Sequence, residues 1–535
     1  MYEDTEPINR CIRRFAASTI LRKFALLFAA VSAATSQVRV IATDLAQVRG
    51  PQSQIFKECI GAGRANEGLR ADWQQQLALV QKELGFRYIR MHGLLHDDMG
   101  VYKEDAKGNP VYNWQYVDVL YDYLLSIKIK PFVELAFMPS ALASGNATIF
   151  WWKGNITPPK SYEKWGDLIR NLVAHFRERY GHDEVKTWYF EVWNEPDIKP
   201  FYTADLNEYL KLYKTTAEAV KSVSPEYRVG GPASASPYRF EQELLQYCAR
   251  NHVPIDFIST HAYGVKEGFV DETGARGTVL DDDRAAVRSR IVHSRELIRN
   301  SPLPKLELHF TEWSSSYTPT DFIHDQYHQA AYILDKIKGA QEAVDSMSYW
   351  VFTDIFEENG PRMTPFHGGF GLLNYQSIRK PAYFAYQFLN RLGKTEVANS
   401  DDSSWVTKNN DGAIQALFWD FTPVRPPNGV NDQTYYKGDL PPKEKGTVRL
   451  DLSGVAAGTY RLEIYRTGYR VNDAYTAYLG LGAPSQLTRR QVETIQTAAN
   501  GAPAVTEAVR VSDSRFTRTF PIRENDVYLV MLRKQ

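Results

Sequence analysis

Eight short apolar runs, each followed by a longer amphipathic stretch, dominate residues 55 to 390. The runs are FKECIGAG from Phe56, FRYIRMHG from Phe86, KPFVELAF from Lys130 and TWYFEVWNE from Thr187. YRVGGPAS from Tyr227, IDFISTHAY from Ile255, LELHFTEW from Leu306 and SMSYWVFTD from Ser346 complete them. Their length and their content of β-branched and aromatic residues predict strands. Helical periodicity marks the intervening WQQQLALVQKEL from Trp73, YEKWGDLIRNLVAHFRERY from Tyr162, Lys211–Lys221 and His328–Glu342. Strand and helix alternating eight times predicts an α/β fold of the (β/α)8 TIM-barrel type. A doubly wound open sheet is the competitor, but GAGRA at Gly61 lacks the third glycine and helix start of its usual phosphate loop.

The character changes past residue 395, where AIQALFWDF, GTVRLDL, TYRLEIYR and DVYLVMLRK alternate as antiparallel strands do. Residues 395–535 are therefore predicted to form an accessory β-sandwich, with a long polar loop from Pro423 to Gly446. The segment 36–54, carrying QVRVIATDLAQVR, reads as a strand that joins this sandwich, which leaves 55–394 to the barrel. Residues 1–35 read as an N-terminal export signal: five basic side chains from Arg10 to Lys23 precede the apolar FALLFAAVSAA. That run is shorter than the ~20 residues of a membrane span, so the expectation is a secreted or periplasmic protein without a stable membrane anchor.

Sixty-three basic side chains balance sixty-three acidic ones, which leaves no net field to attract nucleic acid or an anionic membrane. Cys11, Cys59 and Cys248 lie in no metal-ligand spacing, and the latter two read as buried free thiols; no metal and no cofactor is expected. Oligomeric state is left open by the sequence.

In a barrel the chemistry gathers where the strands end. Strand two ends at Arg90-Met91-His92-Gly93, strand four at Asn194-Glu195-Pro196 and strand six at Thr260-His261-Ala262-Tyr263. Strand seven ends at Thr311-Glu312-Trp313, and strand eight runs from Trp350 to Asp354 and on to Glu357-Glu358. Glu195 and Glu312 thus face one mouth from opposite sides. One protonated and one ionised carboxyl across a bond is the minimal apparatus for breaking a glycosidic linkage.

The WNEP at Trp193 and the later FTEW at Phe310 resemble the retaining glycoside hydrolases whose two glutamates follow strands four and seven. The closer resemblance is to glycoside hydrolase family 39, known for β-D-xylosidases and α-L-iduronidases. It is carried by IFWWKGNITPPKSYEKW at Ile149, EVWNEPD at Glu191, STHAYG at Ser259, HFTEWSS at His309, SYWVFTDIFEE at Ser348 and NDAYTAYLGLGAPSQLT at Asn472. The resemblance implies that Glu195 is the general acid/base, its pKa raised by the Trp193 indole and the second carboxylate, and that Glu312 is the nucleophile. It implies further that Tyr263 hydrogen-bonds Glu312, that Asn194 meets the sugar 2-hydroxyl, and that His92 and His261 grip neighbouring hydroxyls. A structural role beneath the site is the alternative for each histidine. Glu357 and Glu358 would contact the non-reducing sugar, unless one of them holds the loop instead. Trp350 would floor the sugar, and Trp151 and Trp152 are weaker candidates for a wall.

Charge argues the substrate. A uronic sugar needs a cation, which the resemblance implies would stand just after the strand-six histidine; Ala262 and Tyr263 stand there instead, and the strand-eight loop is acidic apart from Arg362. The expectation is a β-xylosidase that frees xylose from xylo-oligosaccharides. The alternatives are an α-L-arabinofuranosidase, a β-galactosidase, an exopolysaccharide hydrolase or a non-catalytic carbohydrate-binding barrel.

Overall fold

The computed structural model describes residues 38–235, 238–270 and 276–535. The export signal expected in residues 1–35 lies outside the described residues. Eight parallel strands close into a barrel: Cys59–Arg64, Tyr88–His92, Lys130–Glu134, Tyr189–Glu191, Arg228–Ser234, Phe257–Tyr263, Glu307–Ser314 and Ser346–Tyr349. They are called barrel strands one to eight below. A helix follows each: Ala71–Leu84, Gln115–Ser126, Tyr162–Tyr180, Leu206–Val223, Arg239–Asn251, Ala286–Arg299, Gln329–Ala340 and Pro381–Asn390.

Tyr162–Tyr180 shows why such a segment is helical. The Ser161 hydroxyl accepts the Lys164 N–H and caps the first turn. Trp165, Leu168, Ile169, Leu172, Val173 and Phe176 then recur at three- and four-residue steps, all buried against the barrel. Gly181, at φ 85°, ends it.

Inside the barrel the two-residue period of a strand stacks side chains in layers. Cys59, Tyr88, Phe132, Tyr189 and Phe257 form a closed apolar cluster at the N-terminal end. Two residues further along the same strands stand Arg90, Glu134, Glu191 and Ser259, all fully buried. Aromatic packing thus gives way to charge within one step of the pleat.

The second domain has two sheets. One orders Val48–Pro51, Thr395–Val397, Ser404–Lys408, Ile414–Trp419, Val527–Lys534, Gly458–Thr467 and Val505–Val511. The other orders Val38–Asp44, Glu444–Ser453 and Arg515–Arg523, and the first of these pairs parallel with the second. Ile41, Phe418, Leu450, Leu462, Phe520 and Tyr528 fill the space between the sheets. Alternate residues of the larger sheet point the other way: Trp405, Leu417, Trp419, Tyr465 and Leu529 join the core of the barrel's helical layer. The Trp405 indole N–H reaches Gln341 at 3.2 Å, and the Arg391 guanidinium lies 4.3 Å from the Tyr465 ring. Both faces of this sheet are buried, which is why its strands read as nearly continuous apolar runs.

One sequence expectation needs correction here. The stretch from Pro423 to Gly446 is not loop throughout. Val430–Asn431 adds a third strand to a hairpin, Val265–Val270 with Arg276–Leu280, that follows barrel strand six, and the Glu444–Ser453 strand begins before Gly446. The segment NDAYTAYLGLGAPSQLT, between the sandwich strands Gly458–Thr467 and Val505–Val511, opens on a helix. Asp473 caps the helix Ala474–Gly480, and Tyr475 and Tyr478 pack on Phe366 beyond barrel strand eight.

Candidate active site

The chain leaves barrel strand four earlier than its sequence suggests. The ladder ends at Glu191, and Trp193 and Glu195 take left-handed φ values of 74° and 47°. Such angles cost of order 1–3 kcal/mol for non-glycine residues and persist only where surroundings enforce them. The Glu195 N–H is held by the Ala233 carbonyl at 2.9 Å, and the Trp193 indole N–H by the Phe201 carbonyl at 3.0 Å. The turn aims Asn194 and Glu195 into a cavity of about 880 Å³ above the barrel.

Glu312 enters the same cavity from barrel strand seven. Its Oε1 accepts Arg90 Nη1–H at 2.7 Å and its Oε2 accepts the Tyr263 hydroxyl at 2.7 Å. Burial and the negative field of Glu312 push the Tyr263 phenol well above its usual range, so it remains a donor. Glu195 shares a hydrogen bond of 2.8 Å with His261 Nδ1. Burial first, then the charge of Glu312, raises the Glu195 carboxyl well above the ordinary carboxylate range. The Trp193 indole packs instead on Phe137 and Tyr202, so the carboxyl owes its shift to enclosure rather than to that ring. A carboxyl of raised pKa therefore faces one that accepts hydrogen bonds from an arginine and a phenol. One oxygen of each lies within 4.8 Å of the other. That matches the ~5–5.5 Å carboxyl spacing of retaining glycosidases rather than the ~6.5–9.5 Å of inverting ones.

Arg90 is the residue whose importance sequence reasoning missed. It is fully buried and reaches four partners: Glu191 at 2.5 Å, Glu312 at 2.7 Å, Asn194 Oδ1 at 2.8 Å and Glu134 at 2.9 Å. It opposes the repulsion among three carboxylates and orients Glu312. Because it occupies the Asn194 oxygen, the amide N–H groups of Asn194 are left as the donors toward the cavity. The signal was present as an arginine inside the strand run FRYIRMHG, one pleat step before His92.

The remaining predicted site residues divide. His92 lines the cavity, with Nδ1 2.7 Å from Glu134 and Nε2 3.6 Å from Glu312. Trp350 and Glu358 line it as well, and Glu358 stands 3.7 Å from His92 Nε2. Burial and the charge of Glu312 raise the Glu358 carboxyl, which makes it a neutral donor. His261 does not line the cavity. It is wholly buried behind Glu195, and burial together with Arg90 and His92 keeps its imidazole neutral. Glu357 turns away: its carboxylate accepts Arg64 at 2.7 Å and Arg70 at 2.9 Å, and its N–H donates to Glu67 at 2.9 Å. Adjacent glutamates thus divide the work, one holding the loop and the other facing the cavity. Trp151 is 57% exposed and Trp152 packs among His96, Phe137 and Phe150; neither lines the cavity. Arg362 lies in a separate cleft beside Asp354 and Glu357.

Glu195, His261 and Glu312 form the group of ligand-type side chains close enough to hold a metal ion among the described residues. Hydrogen bonds to His261, Arg90 and Tyr263 already engage these carboxyls, and paired-carboxyl hydrolysis uses them without an ion.

The family model for glycosyl hydrolases family 39 matches residues 39–514. A beta-xylosidase of Geobacillus stearothermophilus is 40% identical over 485 residues, covering 90% of this chain and 92% of that one. The crystal structure of the GH39 enzyme from Xanthomonas axonopodis pv. citri superposes with a TM-score of 0.90 at 43% identity, over 94% of this chain and 100% of that one. That of a monomeric beta-xylosidase from Caulobacter crescentus CB15 gives 0.89 at 41% identity, over 93% and 100%. With Glu312 on barrel strand seven, Glu195 beyond barrel strand four and a likeness spanning both domains, the chain belongs to glycosyl hydrolase family 39.

Proposed function

We propose that this enzyme is a β-xylosidase that releases xylose from the non-reducing ends of xylo-oligosaccharides by double displacement. The observation that carries the reading is the facing pair of Glu195, raised in pKa, and Glu312, held as a carboxylate by Arg90 and Tyr263. Glu195 gives its proton to the glycosidic oxygen while a Glu312 oxygen attacks C1, so the aglycone leaves as an alcohol and a glycosyl ester forms. Esterification removes the charge on Glu312, one of the two main reasons for the raised Glu195 pKa. Glu195 is then ionised and takes a proton from water as that water attacks C1, which restores both groups. Asn194 is placed to donate to the 2-hydroxyl, and Trp350 to back the ring.

A neutral pentose suits the deep end. Glu312 would oppose a sugar carboxylate there, and the cation Arg90 is already engaged by four partners. The near full-length relatives named as beta-xylosidases support the same glycone.

The test is a panel of p-nitrophenyl glycosides. The β-D-xyloside is expected to be the best substrate, with β-xylose the first anomer released by NMR. Glu312→Gln is expected to lower kcat on the order of 10⁵-fold, and Glu195→Gln about 10²- to 10⁴-fold. Preference for another glycoside, or release of the α-anomer first, would overturn the reading.

A further inference from the structure

The cavity is much larger than one pentose, and its charge is divided. The deep end holds Glu195, Glu312 and Glu358, while the outer wall carries Lys266, Arg276 and Arg290. Arg290 stands on the helix Ala286–Arg299, and Lys266 and Arg276 on the hairpin after barrel strand six, stiffened by its third strand, in which Thr278 and Val279 pair with Asn431 and Val430. Asn431 is in turn fixed by its amide to Asp321 at 2.5 Å. The outer domain therefore sets the position of this wall.

The three cations are not equivalent. Arg290 is occupied by the carbonyls of Tyr263 and Val265 at 2.6 and 2.9 Å and by Asp281 at 3.2 Å. Lys266 is paired with Asp282. Arg276 is exposed and has no ion-pair partner among the described residues. It stands opposite Val270 in the hairpin, on the face it shares with Gly268, whereas Glu267 alternates to the other face. A Cβ at Gly268 would meet the Tyr317 hydroxyl, so the glycine lets that ring lie close against the hairpin. Tyr317 crosses the hairpin at that point, 40% exposed, its ring 6.0 Å from that of Tyr263.

We propose that this outer wall is an aglycone site for a carboxylate-bearing leaving group, with Arg276 as the acid-recognising side chain and Tyr317 as the adjacent flat surface. The proposal rests on the deep end being the glycone site. Its physical basis is a difference in available cations: Arg90 at the deep end is engaged by four partners and has no donor to spare for a charged glycone, whereas Arg276 at the rim can meet a charged aglycone. Two sources supply such a group, a uronic acid carried on the second sugar or an aromatic acid linked to xylose.

The test compares kcat/KM for two matched pairs. One is 4-carboxyphenyl against 4-carbamoylphenyl β-D-xyloside. The other is xylobiose with and without a uronic acid on its reducing-end residue. The wild type is expected to favour the acid in at least one pair by about threefold to tenfold at low salt, with the preference falling as salt rises. Arg276→Ala should bring that ratio close to one, Arg276→Lys should keep part of it, and Arg276→Glu should invert it. Preference in one pair alone identifies the source and upholds the proposal. Equal acid-to-amide ratios in wild type and Arg276→Ala, with xylosides still cleaved, overturn it. Absence of cleavage of every xyloside would instead remove the β-xylosidase reading on which it rests.

Discussion

The two ends of the barrel interior are made by the same strands, two residues apart, and they serve opposite ends. At the N-terminal end Phe132, Tyr189, Phe257 and His309 pack ring on ring at 4.8 to 5.6 Å. One pleat step toward the mouth, Glu134, Glu191 and Arg90 replace rings with a buried ion network. The floor contributes stability through contact and exclusion of water. The mouth spends stability to hold charge where water is scarce, because a buried network is costly unless every member is paired. The difference shows that burial alone does not distinguish the two ends. What each buried group is paired with does.

The largest expected effect breaks the floor without touching the chemistry. Phe132→Ala is expected to destabilise the protein by about 3–5 kcal/mol in chemical denaturation. Its folded fraction should keep the wild-type kcat. A matching loss of kcat would show that the floor also tunes the mouth. Tyr263→Phe reverses the pattern: it removes one charge-assisted hydrogen bond to Glu312 and should lower kcat about 10- to 100-fold while leaving the denaturation midpoint almost unchanged.

The smallest effect sharpens the comparison at the rim, where Glu67 accepts the Glu357 N–H and burial lifts its carboxyl to about 8. A folded pKa above the unfolded one makes stability fall as pH rises from about 4.5 toward 8. Glu67→Gln keeps an acceptor for that N–H and cannot ionise. Its Tm should therefore fall less than that of the wild type between pH 5 and pH 8.5, by a few degrees at most. Parallel Tm curves for the two proteins would show that Glu67 does not titrate in that range.

Much of the site was legible because a barrel ties function to strand ends. The dipeptides Asn194-Glu195 and Thr311-Glu312 each close an apolar run, and the fold then brings them to one mouth. Arg90 was harder to read, since its meaning depends on four partners from three other strands and the loop beyond strand four. His261 looked like a substrate contact because it follows a strand in the expected place. Its ring lies behind Glu195 instead, hydrogen-bonded to that carboxyl through Nδ1.

The sequence by itself determined the barrel, the two facing glutamates and the presence of a second, β-rich unit, since these follow from periodicity and from where apolar runs stop. Only the tertiary structure decided which of Glu357 and Glu358 faces the cavity. It also decided that Trp151 and Trp152 stay outside the cavity, and that Val430–Asn431 buttresses its rim. Those outcomes depend on pairings between residues far apart in the chain, such as Glu357 with Arg64 and Thr278 with Asn431. A one-dimensional pattern records a residue's type and period, but not the partner that satisfies it.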